Sequence, residues 1–331
     1  MGEAWQVVRF GEPADALELV ELPSEPLGAA DVRITAAANG LNSLDVGMCR
    51  GSHPLRPAPP FVLGAEVVGE VTETGAAVTR FAPGDRVVAM NPRAYGNFRR
   101  EVVVPEVAAH GVPAGISDPD AAALLVDYQA ATIALVRRAR VQPGEWVLVT
   151  GAAGALGSAV VQIARAHGAR VVAAAGSEEK RRACTELGAE VVVDSRDAAL
   201  PAVVREATGG HGADVVCDIA GGETFARGVE AAAFEARVVT MGWASGAMPE
   251  LDAPTLVMRN LSVIGMSWGS SYPREAPDVV RDVHARVVEL VESGEVRPLV
   301  GSVRPYVELP AALEQIRAGT TVGKSVTTWL T

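Results

Sequence analysis

The spacing of apolar positions changes along the chain. In the first third they alternate in short runs, as in 65–72 and 86–89. Gly and Pro punctuate these runs, at Pro83-Gly84-Asp85 and in the cluster Pro54, Pro57, Pro59, Pro60. Period-two alternation between turn residues predicts strands with long loops. Near Asp118 the pattern turns helical, and 118–138 is rich in Ala and Leu. From Glu145 it becomes regular. Short apolar strands are expected at Trp146–Thr150, Arg170–Ala175, Val191–Asp194, 214–218 and 237–241, with a sixth at 261–266. Helices are expected between them, at 155–167 (Leu156, Val160, Ile163 and Ala164 on one face, Gly168 as the stop) and 178–187, and again at 283–292. Strands that are apolar throughout and alternate with helices predict a parallel sheet covered on both faces. The tail, 300–331, returns to strand and loop character and is expected to rejoin the first third.

A chain of 331 residues exceeds what one core usually supports, so two domains are expected. The fold class is α/β. A mostly-β domain takes 1–123 and 291–331, and a doubly wound parallel sheet takes 124–290. The net charge of −11 argues against nucleic acid or an anionic membrane surface as partner, but not against a phosphate-bearing small molecule held by local donors. Cys49, Cys184 and Cys217 are too few for a disulfide framework and too scattered for a structural zinc site. The N-terminus lacks the basic-then-apolar pattern of a signal peptide, and no stretch approaches a membrane span. A cytoplasmic setting is expected.

The chemistry starts at Gly151-Ala152-Ala153-Gly154-Ala155-Leu156-Gly157, which follows a strand and opens a helix. Small residues permit a tight turn and let a pyrophosphate approach the backbone. The last glycine lets the helix pack on the strand, and the helix N-terminus offers free N–H groups and positive dipole. Glycines also punctuate ordinary turns, but here the turn opens a series of strand–helix units, which favours a dinucleotide site. Ala153, Gly154, Ala155, Leu156 and Gly157 are the candidate contacts.

A site for NAD places Asp or Glu at the end of the second strand. This chain has Ala174-Ala175-Gly176-Ser177 there, followed by Lys180 and Arg181, with Arg196 just past the third strand. Donors and positive charge without a carboxylate suit a 2′-phosphate, so NADPH is the expected cofactor, with Ser177, Lys180 and Arg196 around its phosphate. Ser177 is equally a natural N-cap for the helix that follows it. Ala220-Gly221 and Gly242-Trp243 end later strands and are expected to line the same crevice.

With these motifs the chain resembles the zinc-independent quinone oxidoreductases of the medium-chain dehydrogenase/reductase superfamily. Asn39-Gly40-Leu41-Asn42-Ser43-Leu44-Asp45 is similar to the family's A-x-G-V-N-x-x-D loop, and Leu63-Gly64-Ala65-Glu66-Val67-Val68-Gly69 to its L-G-x-E-x-x-G segment. Pro83-Gly84-Asp85-Arg86-Val87, Pro143-Gly144-Glu145-Trp146-Val147-Leu148-Val149 and Gly323-Lys324-Ser325-Val326 follow in the family's order. The resemblance implies a GroES-like catalytic domain, a Rossmann domain, a cleft between them and usually a homodimer. It also implies hydride transfer from NADPH to a quinone or an activated alkene.

By resemblance, Asn42 and Asp45 sit beside the nicotinamide, and Tyr128 approaches it. The alternative for Asn42 and Asp45 is a capping-box helix start. Lys324 either reaches the cofactor phosphates or marks a turn. Ala130 and Asp127 stand where the family often has Thr and Asn. His53 is a possible proton donor or a plain loop residue, and Trp268 belongs to a substrate cleft or a dimer interface. Zinc relatives carry Cys where this chain has Asn42 or Ser43, and His where it has Ala65, so no metal is expected. The leading expectation is an NADPH:quinone oxidoreductase. An NADPH-dependent enoyl or enone reductase is the alternative, with Arg93, Arg99 and Arg100 as a basic entrance for a CoA thioester. The third is a non-catalytic NADPH-binding protein.

Overall fold

The computed structural model describes residues 2–54, 57–91, 95–269 and 271–329. They form two compact units. One comprises Met1–Val126, Trp268–Glu292 and Pro298–Thr331; the other comprises Asp127–Ser267 and Ser293–Arg297.

The first unit is built on the long strand Asp31–Leu41. It pairs antiparallel with Val67–Thr74 on one side and Lys324–Thr328 on the other, and with Glu101–Pro105 over its first half. Arg86–Ala89, Ala109–Gly111 and Val300–Pro305 extend this seven-stranded sheet. The alternation foreseen in the sequence is what buries Val32, Ile34, Ala36, Val67, Val71, Val87, Val102 and Val104 in one cluster. The tail therefore does return to the N-terminal sheet, with Ser325 opposite Leu41 and Thr328 opposite Ala38.

The helix Pro277–Glu292 lies in this unit, although the sequence placed residues up to 290 in the other domain. Val280, Val287 and Leu290 are buried, and His284 Nε2 donates to the Gly111 carbonyl at 2.8 Å. His284 also stacks on buried His110, with ring centroids 4.7 Å apart. Burial pushes both imidazoles down from the ordinary value of 6.5.

The second unit is a six-stranded parallel sheet. Its order is Val191–Asp194, Arg170–Ala175, Trp146–Thr150, Ala213–Asp218, Ala232–Thr240, Ser262–Gly265. In sequence terms this is 3-2-1-4-5-6, the doubly wound arrangement whose direction of winding reverses next to the first strand. Trp146, Leu148, Val172, Val216 and Val238 form the buried face under Phe225 and Val229. The helix Ala155–Ala166 buries Val160, Val161, Ile163 and Ala164, and Gly168 ends it at φ +75°, as its position predicts. The helix expected over 118–138 is interrupted. Alpha-helical turns at Asp118–Ala121 and Gln129–Thr132 alternate with wider π turns at Leu124–Tyr128 and Ile133–Ala139.

Candidate functional site

The glycine turn leaves the first strand at Thr150. Gly151 adopts φ +64°, and Gly154, in extended backbone, caps the helix Ala155–Ala166 without any side chain over the helix end. The N-terminal amides therefore face outward rather than into a capping hydroxyl. Gly157 is required by packing: a Cβ there would stand 2.1 Å from the Gly151 carbonyl oxygen and 2.7 Å from Ala152 Cα. The adjacent strand end is fixed by a buried pair. Thr150 Oγ1 donates to Asp218 Oδ1 at 2.6 Å and accepts the Ile219 amide at 3.1 Å, while Asp218 Oδ2 takes the Gly221 amide at 2.9 Å. The loop after the fifth strand zips onto this one, since the Ala244 and Ser245 amides donate to the Ile219 and Ala220 carbonyls, both at 3.0 Å. Gly221 is held close to Trp243, its Cβ position lying 3.1 Å from Trp243 Cβ. The turn and the candidates Ala220, Gly221, Gly242 and Trp243 thus meet at the carboxyl ends of the parallel strands. Beside them an open hollow of about 350 Å³ is lined by Arg196, Gly222, Thr224, Arg227 and Ser245.

The second strand ends at Ala175, opposite Asp194 of the third. Ser177 caps the next helix by accepting the Lys180 amide at 3.3 Å, which leaves its hydroxyl hydrogen for a ligand. Half-buried Lys180 has its pKa pushed down by desolvation. Arg196 lies beside Gly176, with Nε 3.8 Å from where a Cβ would be. The sequence reading missed Asp194, which organises this corner. Its Oδ2 binds Arg181 Nη1 at 2.9 Å and Arg196 Nη2 at 3.0 Å, and its Oδ1 accepts Arg196 N at 2.9 Å and Nε at 3.1 Å. The Asp–x–Arg spacing was the available signal.

A second cluster lies in the β-rich unit. Asn42 starts the helix Ser43–Cys49, and its amide donates to Asp45 Oδ2 at 2.8 Å, so the capping geometry is present. The Asn42 side chain faces a buried ion pair. Its Nδ2 donates to Glu66 Oε1 at 3.1 Å, and its Oδ1 accepts Lys324 Nζ at 2.8 Å. Lys324 closes the triangle on Glu66, while Glu66 Oε2 takes the Val126 amide at 3.2 Å. Lys324 and Glu66 are 1% and 0% exposed. Gly40 makes room, because a Cβ there would meet Glu66 Oε1 at 2.4 Å. Asp45 is fully buried and its Oδ1 has no hydrogen-bond partner. Burial pushes its pKa up to about 7, against the lowering effects of the Asn42 amide and Lys324.

Comparison with known proteins follows this geometry. Residues 28–114 match the alcohol dehydrogenase GroES-like domain family, and residues 155–285 match the zinc-binding dehydrogenase family. The chain is 31% identical to quinone oxidoreductase-like protein 2 of Mus musculus, over 98% of this chain and 92% of that protein. A mycobacterial protein crystallised with NADPH superposes with a TM-score of 0.91 at 28% identity, covering 99% of this chain and 100% of the other. A quinone oxidoreductase of Pseudomonas syringae pv. Tomato superposes at 0.90, also at 28% identity, covering 99% and 100%. The chain belongs to the quinone oxidoreductase family of the medium-chain dehydrogenase/reductase superfamily. It has that superfamily's GroES-like and Rossmann folds, and it is an oxidoreductase.

The name of one matching family implies zinc, and the donor set here does not fit it. Ala65 offers a methyl group and Asn42 an amide, and the neighbouring carboxylate, Glu66, is taken by the Lys324 ammonium. Among the described residues no group of three or more His, Cys, Asp or Glu converges as metal ligands. Cys49, Cys184 and Cys217 are buried, with thiols pushed up to about 12, 11 and 12, mainly by burial.

Tyr128, Lys324 and Trp268 all make interior contacts. Tyr128 is 1% exposed, and its hydroxyl is bonded to Gln162 Nε2 at 2.7 Å and the Arg297 carbonyl at 3.3 Å; Gln162 Oε1 takes the Arg297 amide at 2.8 Å. These bonds tie the hydroxyl to Gln162 and Arg297 within the Rossmann unit. Lys324 is held by Asn42 and Glu66 inside the β-rich unit, which commits its ammonium elsewhere than to phosphate. Trp268 is buried beside Met90, His110 and Pro277. Half-buried His53 packs next to Gly47, its amide bonded to the Gly47 carbonyl at 3.1 Å. Asp127 and Ala130 are both buried. Tyr95, which the sequence reading passed over, is pushed up from 10.0 by burial and by nearby Asp45.

Proposed function

We propose that this protein is a zinc-independent NADPH:quinone oxidoreductase. The observation that carries this reading is the corner after the second strand, where Ser177 and the Arg196 guanidinium lie beside Gly176, Arg181 and Arg196 share Asp194 of the third strand, and the second strand itself ends in Ala175 rather than in a carboxylate. A carboxylate there would serve the ribose hydroxyls of NADH and repel a 2′-phosphate. The relative crystallised with NADPH and the relatives named as quinone oxidoreductases support the same reading.

When bound, NADPH supplies the hydride. The chain's task is to align the acceptor, exclude water and stabilise charge on the reduced oxygen. The amides of Ala153, Gly154, Ala155, Leu156 and Gly157 receive the pyrophosphate, and Ala220, Gly221, Gly242 and Trp243 border the cofactor. Lys324 and Glu66 fix the orientation of the Asn42 side chain. Burial pushes the Asp45 carboxyl up to about 7, so it exchanges a proton near neutral pH, which suits a reaction that consumes one proton per hydride to give a hydroquinone.

A homodimer is part of this reading. Ser262–Gly265 is an edge strand with one side unpaired in the sheet, and Val263, Val257, Met258 and Phe234 are 46%, 68%, 78% and 64% exposed around it. An apolar edge of this kind suits two-fold pairing with a second copy. The enoyl-CoA alternative loses its basic entrance in part. Arg99 is tied to Glu25 Oε1 at 2.6 Å and Arg100 to the Ala36 carbonyl at 2.9 Å, while Arg93 lies outside the described residues. The test is NADPH oxidation across small quinones, enones and enoyl-CoAs, with NADH as control. Quinones are expected to turn over fastest. Faster turnover of enoyl-CoA would replace the acceptor assignment.

A further inference from the structure

We propose that Asp194 is a positioning residue for the cofactor's 2′-phosphate: it clamps Arg196 and Arg181 in the orientation that sets the preference for NADPH over NADH. The inference rests on the cofactor reading above and deepens it.

Asp194 sits at the last position of the third strand, opposite Ala175, so its carboxylate emerges where the second strand gives way to Gly176 and Ser177. Both oxygens are used. Oδ1 takes the backbone amide and Nε of Arg196, and Oδ2 takes Nη2 of Arg196 and Nη1 of Arg181. The contacts with Arg196 form a side-on fork that fixes the plane of its guanidinium. The Arg196 side chain is otherwise 72% exposed, and such a side chain in water samples many rotamers. Bonding by Arg196 pushes the Asp194 carboxyl down to about 2, so the clamp stays charged across the working pH range.

The arrangement leaves donors for a ligand. Arg196 engages Asp194 through N, Nε and Nη2, which leaves Nη1 unengaged by it. Gly176 supplies the space, since the guanidinium runs within 4 Å of where its Cβ would be. Two effects oppose each other. The Asp194 charge repels phosphate, whereas its clamp removes the ordering cost of Arg196. Two guanidiniums, Arg181 and Arg196, bind this one carboxylate, so the pairings leave a net positive charge. In an exposed setting charge repulsion is screened by water, whereas an ordered guanidinium fork is retained. Ordering is the larger effect.

The test is titration of the full-length protein with NADPH and with NADH, followed by tryptophan fluorescence. Parent, Asp194→Asn, Arg196→Ala, Arg196→Lys and the Asp194→Asn/Arg196→Ala double variant are compared, with thermal melting as a check of folding. Asp194→Asn is expected to weaken NADPH about tenfold and leave NADH unchanged. Arg196→Lys, which keeps the charge but not the fork, is expected to fall similarly. The double variant should be no weaker than Arg196→Ala, because the clamp acts only through the arginine. Tighter NADPH binding by Asp194→Asn would show that repulsion dominates and would overturn the proposal. Equal weakening of both cofactors would reduce Asp194 to a structural part and would also overturn it. A parent that binds NADH as tightly as NADPH removes the cofactor reading and the clamp together. Preference kept in both parent and Asp194→Asn removes the clamp alone.

Discussion

Asp45→Asn should make the protein more stable, and more so as the pH rises. Asp45 is fully buried; Oδ2 accepts the Asn42 amide and Oδ1 has no partner. Burial pushes the carboxyl from its ordinary 3.8 up to about 7. The folded pKa is the higher one, so the sign is fixed. Stability from the protonated carboxyl is complete below about pH 4, where both states hold the proton. It is lost as the pH rises toward 7, because the unfolded chain ionises first. Each pH unit in that window is worth about 1.4 kcal/mol, so the loss reaches about 4 kcal/mol by pH 8. Asparagine keeps an acceptor for the Asn42 amide and never ionises. The variant's advantage should therefore grow from about 2 kcal/mol at pH 5 to about 4 kcal/mol at pH 8. Urea unfolding of both proteins at half-unit pH steps measures this directly. A stability difference that does not change between pH 5 and 8 would show that Asp45 ionises normally and that the burial argument is wrong.

Gly157→Val should cost about 3 kcal/mol or more and weaken cofactor binding, because its Cβ would press on the Gly151 carbonyl and Ala152 Cα, which are backbone and cannot step aside. Melting temperature and NADPH affinity check it. Lys324→Met strands Glu66 in the interior and should cost about 3–5 kcal/mol; pairing it with Glu66→Gln should recover much of the loss, as urea unfolding of the two variants will show. Val263→Lys places a charge on the apolar edge strand and is expected to shift the protein from dimer to monomer in analytical ultracentrifugation, with the melting temperature of the monomeric fold little changed.

The sequence carried the parts of the fold that rest on local period. The strands Trp146–Thr150 and Arg170–Ala175 are apolar runs buried almost throughout, Gly151 and Gly168 mark turns at positive φ, and Gly157 marks a close helix-to-turn contact that only glycine fits. It did not carry contacts made at long range by single polar side chains. Lys324 reaches Asn42 across 282 residues of chain, and nothing in the local pattern of Gly323-Lys324-Ser325 says that its ammonium is buried on Glu66. The partners of the Tyr128 hydroxyl were hidden for a related reason. A motif fixes the residue, whereas the role of its hydroxyl depends on Gln162 and Arg297, which lie elsewhere in the sequence. The helix Pro277–Glu292 has an amphipathic pattern that any apolar surface would satisfy, so its place against Gly111 had to come from packing. Asp194 was visible as a strand-ending acid, but its orientation toward Arg181 and Arg196 follows from the register that sets it opposite Ala175.

The central claim is hydride transfer from NADPH to a quinone by this chain's own site. The most direct measurement is anaerobic stopped-flow mixing of the NADPH-loaded protein with a small quinone, following the dihydronicotinamide absorbance and the hydroquinone formed. The account predicts that the absorbance is lost in step with hydroquinone formation, one for one, and that NADH is a much poorer donor. NADPH that binds tightly yet keeps its absorbance in the presence of every quinone would contradict it.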